Sequence, residues 1–227
     1  MNRFFYFKLA VTNIKKNAKT YVPYIITSIL TICMFYIICS LSKNPDLTKA
    51  TGTGTMSEVL CLGTIVCGIF SVIFLFYTNS FLMKRRKKEF GLYNILGMEK
   101  KHISNVVLCE TLIISVISLV FGLLVGILFD KLMLLVLLSM FSVKIPLGFY
   151  ISSASLNSTF VLFAGIFVLI FLNSIRQIHL AKPIELLQGS SVGEKEPKAK
   201  WFIALLGFIC LGTGYYIAVT TTNPIAA

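Results

Sequence analysis

The sequence predicts an all-α integral membrane fold: an N-terminal interfacial helix followed by five transmembrane helices. Three observations carry that expectation. Hydrophobic residues make up 56% of the chain and charged residues only 13%, where a water-soluble domain carries roughly a quarter charged. The mean hydropathy is +0.85. The apolar residues are gathered into five stretches, 21–42, 57–83, 105–129, 156–175 and 201–219, each near the ~20 residues a helix needs to cross the hydrocarbon. Helices satisfy their backbone groups internally in lipid, and the alternating polarity of barrel strands is absent.

Residues 1–20 precede the first span. Phe4, Phe7, Val11 and Ile14 recur at helical spacing with lysines on the other faces, the pattern of a helix lying in the membrane interface. Pro23 suits the start of the next helix. The first apolar stretch is too long for a signal peptide, and CSLSKNPD after it offers no small-residue cleavage site, so it reads as an uncleaved span. The third stretch overruns. Asp130 and Lys131 interrupt it, then 132–141 continues apolar, as a helix lying along the outer surface or rising above it. Gly122 and Gly126 form a GxxxG pair that permits close helix contact. Residues 142–155 read as a Ser-rich outer loop.

Orientation follows from the basic residues. With the N-terminus cytoplasmic, 17 of the 21 Lys and Arg lie on the inside, and only Lys43, Lys49, Lys131 and Lys144 lie outside. Five spans then leave the end of this sequence extracellular. The net charge of +12 flanks apolar runs and does not form a basic face on a soluble domain, so the partner it fits is a membrane surface, and no nucleic acid.

No phosphate-binding loop, GxSxG or HExxH is present, which leaves no motif for an enzyme of those classes. The six cysteines lie in or beside apolar runs without CxxC spacing and read as packing residues, with no metal site among them. His102 and His179 fall at cytoplasmic ends of spans as interfacial polar residues, and Asn79 and Asn173 sit near the same ends, where they cap or link helices. Glu110 lies inside the third span, near enough to its end to reach water. An intramembrane acid is a candidate functional residue by default.

The segment MKRRKKEFGLYNILGMEKKHI, residues 83–103, joins the second and third spans. Lys84–Lys88 read as basic anchors. Phe90, Tyr93 and Gly97 fall near one helical face, and Gly97 suits a left-handed helix terminus. The expectation is a short amphipathic helix that turns its aromatic face away from the membrane, toward a groove on a soluble partner.

KKEFGLYNILGMEKKHI resembles the cytoplasmic signature of FtsX-like permeases, and LAKPIELLQG, residues 180–189, resembles the Pro-x-Glu-x-Leu element that closes an FtsX repeat. The basic entry into the last span, residues 194–216, is similar to the permeases of bacitracin- and lantibiotic-type ABC transporters. The resemblance implies a first FtsX-like repeat over 21–188, a cytoplasmic linker at 189–200 and a fifth span with an outer tail at 201–227. It implies a separate ABC ATPase, as a dimer, that binds ATP and Mg, so this chain needs no cofactor and is not itself an enzyme. It assigns ATPase coupling to Glu89, Phe90, Gly91, Tyr93, Leu96 and Gly97, and the end of the fourth span to Pro183, Glu185 and Leu186. It implies action on cell-wall-targeting antimicrobial peptides and a membrane histidine kinase as a further partner. Relatives of this branch have about ten spans, so the chain reads as the N-terminal portion of a longer permease or as a split subunit that needs a second chain. A non-transporting regulatory scaffold and a sensor-kinase adaptor are the alternative readings.

Overall fold

A computed structural model describes residues 3–44, 55–140, 152–180 and 201–220. The described residues form six helices: α1 (Arg3–Lys16), α2 (Ala18–Ser42), α3 (Thr55–Ile95), α4 (Lys100–Met140), α5 (Ser153–Leu180) and α6 (Trp201–Thr220). Four of them, α2 to α5, contain stretches long and apolar enough to cross a membrane.

The chain divides into two compact units, Met1–Gly189 and Ser190–Ala227. The second contains α6, a single 20-residue helix whose apolar stretch is Ala204–Tyr216.

In the first unit α2 is the central helix, packed on α3, α4 and α5. Its middle supplies Ile32, Phe35 and Cys39 to a core that α3 completes with Leu75 and α5 with Phe163, Ile166, Phe167 and Ile170. Phe35 meets Phe163 edge to face at 5.7 Å, the arrangement ring quadrupoles favour. The α2–α4 contact depends on the two glycines of the GxxxG pair. A Cβ on Gly122 would stand 2.8 Å from Ile32 Cβ, and one on Gly126 would stand 3.0 Å from Tyr36 Cδ1. The outward faces of α2, α3 and α4 remain apolar, with Met34, Leu62, Val66 and Leu128 exposed, as a lipid-facing surface requires.

Several elements differ from expectation. Pro23 lies inside α2, beyond its first position. The connector is no separate short helix: α3 runs unbroken for 41 residues from the second span through Ile95. Nothing in KRRKKEFGLYNI breaks it, because Gly91 alone costs a helix only about 1 kcal/mol. α4 likewise continues through Asp130 and Lys131 to Met140, where Leu134 and Leu138 pack on Leu41 of α2. Asp130 is buried in the helix, and Ser40 donates its hydroxyl to one carboxylate oxygen at 2.9 Å. α5 begins at Ser153, where the Ser152 side chain accepts the Ser155 N–H at 3.2 Å.

α1 docks by a face offset from the one its apolar residues mark, sharing Ile14 with it. Tyr6, Ala10 and Asn13 are buried, with Ala10 fully so, while Phe7 is half exposed. The helix thus lays a small and polar stripe on α4 and leaves the Phe7 side outward. Asn17 alone separates α1 from α2. Its N–H bonds to Asn13 O at 2.9 Å and its carbonyl accepts the Tyr21 N–H at 3.1 Å.

Candidate functional site

The end of the bundle that carries α1 and the α3–α4 connector holds a buried network of charges. Its centre is an ion pair between Arg86 of α3 and Glu110 of α4, exposed by only 3% and 2%. Both terminal nitrogens of Arg86 reach the Glu110 carboxylate, Nη2 at 3.0 Å from Oε1. Arg86 Nε also donates to Glu89 Oε2 at 3.3 Å. Two further donors close the Glu110 carboxylate: Asn13 Nδ2 of α1 at 3.0 Å and Tyr21 Oη of α2 at 3.0 Å. Glu110 therefore accepts from three helices and does not reach water. A charge buried in a membrane persists only when paired and hydrogen-bonded in this way.

The network extends outward along the connector. Asn17 Nδ2 donates to Glu89 Oε1 at 2.7 Å, which explains why the Asn17 side chain does not cap its own helix. Tyr93 Oη donates to Asn13 Oδ1 at 3.2 Å. The Arg86 guanidinium lies over the Phe90 ring at 4.7 Å and the Tyr21 ring at 5.3 Å, so cation–π contacts occupy its faces while the carboxylates take its edge. About two turns along α1 and α4 from the Asn13–Glu110 bond, Tyr6 Oη is 2.5 Å from His102 Nδ1 and their rings stack at 5.9 Å. His179 is tied to α4 by its backbone carbonyl, which accepts Lys100 Nζ at 2.9 Å. A second polar link, Asn79 Nδ2 to Ser174 Oγ at 3.0 Å, joins α3 to α5, and Asn173 Oδ1 takes Arg176 Nη2 at 3.3 Å.

These contacts reverse the expected direction of the aromatic face. Phe90 is buried with Met83, Ile103, Val107 and Ile178, and Tyr93 packs against the same cluster. Gly91 is buried too, and Glu89 is engaged by Arg86 and Asn17. The surface that α3 offers outward is apolar instead: Leu92, Ile95 and Leu96 are exposed, Leu96 by 72%. The helix stops immediately after them. Gly97 has φ +89°, Met98 N–H bonds to Tyr93 O at 2.9 Å, and Gly97 N–H to Asn94 O at 3.1 Å. That pair of bonds is a Schellman terminus, and glycine adopts the left-handed backbone it needs without strain. Pro183, Glu185 and Leu186 lie outside the described residues.

Arg86 is the buried, paired residue that the basic run conceals. Asn79, Leu82, Met83, Arg86 and Phe90 recur at helical spacing and all are buried, so Arg86 continues the inward stripe of α3 while Lys84 and Arg85 point out. That register is readable in the sequence.

Among the described residues no group of His, Cys, Asp and Glu could hold a metal ion. The arrangement fixes α1, α2, α3 and α4 relative to one another.

A family model described as FtsX-like permease C-terminal matches residues 62–180. An uncharacterized ABC transporter permease, YvcS of Bacillus subtilis, is 29% identical over 214 residues, covering 93% of this chain and 33% of that protein. The bacitracin export permease protein BceB of the same organism is 27% identical over 215 residues, again 93% of this chain and 33% of its own length. BceB of Halalkalibacterium halodurans is 24% identical over 214 residues, 92% and 33%. The chain thus spans about a third of the length of the curated relatives it matches. The matched model covers just over half of the chain, from near the start of α3 to the end of α5, and so takes in both halves of the buried ion pair and the connector between them. On that extent of agreement the chain belongs to the FtsX-like permease family.

Proposed function

We propose that this chain is part of the membrane permease of an ATP-driven ABC transporter that handles cell-wall-targeting antimicrobial peptides. In this reading the tip of α3 receives the motion of a separate ATPase. The observation that carries it is the pairing of an exposed apolar tip with a buried clamp directly behind it. Leu92, Ile95 and Leu96 project at the end of a helix that has no break from the tip to the membrane core. One and two turns behind Leu92, Glu89 and Arg86 fasten that helix to α2, α4 and the α1–α2 junction at Asn17. A push on the tip would reach all four helices together.

The coupling segment then has two layers. Leu96 and Gly97, joined by Leu92 and Ile95, face the ATPase, while Glu89, Phe90, Gly91 and Tyr93 hold the segment from within. Pro183, Glu185 and Leu186 would end the fourth span beside it. The basic end of the bundle is cytoplasmic in this proposal, supported by the 17 to 4 bias of Lys and Arg. ATP and Mg would bind the partner ATPase dimer. Because the chain spans a third of its relatives' length, the transport cycle would require further permease sequence, in the same chain or a second one. The bacitracin export named for two relatives supports a peptide substrate, and a membrane histidine kinase is a further proposed partner.

The test is copurification of the permease with its ATPase in mild detergent, together with peptide resistance in cells. Leu96→Asp paired with Leu92→Asp should abolish capture and resistance while membrane insertion is unchanged. Capture at wild-type level in that variant would remove the coupling assignment.

A further inference from the structure

Between the start of α2 and α3 lies an open groove of about 280 Å³, lined by Lys19, Thr20 and Pro23 on one side and Thr78, Phe81 and Arg85 on the other. We infer that it is a binding site for an anionic phospholipid, the phosphate held between Lys19 and Arg85 and an acyl chain laid along α2 and α3.

Depth is the first argument. Lys19 is the second residue of the α2 span, and Arg85 is the last but one of the α3 span, so both cations stand at one membrane boundary, where lipid phosphates lie. Charge is the second. Among the described residues the ion pairs are those of Arg86, and neither Lys19 nor Arg85 has a carboxylate partner. Two cations on facing helices repel each other unless an anion sits between them. Preorganisation is the third. The Arg85 guanidinium lies over the Phe81 ring at 4.6 Å, which keeps it at the groove wall with its N–H edge available. Thr20 adds a hydroxyl at the rim.

The groove continues as an apolar track toward the membrane centre. Val22 and Ile26 on α2 and Phe74 on α3 are exposed, and Phe74, Thr78, Phe81 and Arg85 share one face of α3 at helical spacing. The Thr78 hydroxyl is turned back to Phe74 O at 2.7 Å, so its polar group is already satisfied within the helix. A soluble phosphate would use the cations and leave this track bare; a phospholipid uses both. The site is distinct from the exposed tip of α3, and Tyr24 and Leu82 stand between it and the buried ion pair's own pocket.

The experiment compares lipid retention by the full permease complex in detergent, measured by native mass spectrometry with phosphatidylglycerol and phosphatidylcholine at equal concentration. Wild type should retain phosphatidylglycerol preferentially. A surface cation contributes about fivefold to anionic lipid affinity, so Lys19→Gln with Arg85→Gln should reduce the preference by up to roughly 25-fold. Lys15→Gln with Lys16→Gln removes the same charge from the exposed end of α1 and should leave the preference intact. Equal retention of both lipids, an unchanged preference in the groove variant, or an equal loss in the α1 variant would each overturn the site. Inorganic phosphate forms the last arm. Displacement of the bound lipid by millimolar phosphate would show an anion site without acyl recognition and overturn the lipid assignment; retention supports it.

Discussion

Replacing Glu110 by Ala should be among the most damaging single changes available in the first unit. The carboxylate accepts four hydrogen bonds, two from Arg86 and one each from Asn13 and Tyr21. Its removal leaves Arg86 buried, with Glu89 at 3.3 Å as its remaining counter-charge. Breaking a buried pair by deleting one partner costs about 3–5 kcal/mol. Asn13 and Tyr21 lose an acceptor as well, at about 1–3 kcal/mol for each group that finds no replacement. We expect Glu110→Ala to lose at least about 3 kcal/mol. Arg86→Met with Glu110→Leu removes both charges and keeps the volume, so it should be more stable than Glu110→Ala, retaining the loss at Asn13 and Tyr21 without the orphaned charge. Buried Cys33 and Cys39 provide the assay. Their thiol-labelling rates across a denaturing-detergent titration report opening of the bundle, and Arg86→Met, Glu110→Leu and their combination form a double-mutant cycle with wild type. Wild-type labelling by Glu110→Ala would refute the reasoning. So would a double variant as unstable as the single, because the loss would then not arise from an orphaned charge.

Gly122→Val should separate α2 from α4 and cost about 1–3 kcal/mol, since its Cβ would overlap Ile32; Gly165→Ala, with open space around it, is the matched neutral change. The cycle's detergent assay reads both. Gly97→Ala meets no atom but must hold φ +89°, so it should cost about 1 kcal/mol and show as faster amide exchange at Tyr93–Met98, with the remaining helices unchanged. Ala10→Leu should lift α1 from α4 and expose Asn13, detected as increased protease cleavage near Asn17.

How much of this was legible follows from what a membrane does to sequence patterns. Hydropathy marks helices long enough to span, and it located α2 to α5 because twenty apolar residues have few other uses. The left-handed turn at Gly97 was legible because few residues besides glycine adopt it cheaply. The direction of a helix face was not. In water apolar residues point to the protein core, but in lipid the apolar face is equally content outside, and small or polar residues mark the contacts. α1 shows this: Phe7 is outward while Ala10 and Asn13 dock. Phe90 shows the converse error, since a helix considered alone has no reference for where its neighbours stand. Arg86 was hidden by composition. Five consecutive basic residues read as one anchor, and only the register set by Asn79, Leu82 and Met83 separates the inward arginine from the rest.

The unbroken length of α4 has a geometric consequence. At 1.5 Å per residue its 41 residues reach about 61 Å, roughly twice the hydrocarbon thickness. The helix is pinned near one end at Glu110, and about 45 Å of it extends from there to Met140. A tilt of about 5° about that pin sweeps the far tip through about 4 Å, while atoms one turn from the pin move by less than about 1 Å. A rearrangement too small to disturb the packing around Arg86 is therefore a displacement of side-chain dimensions on the opposite side of the bilayer.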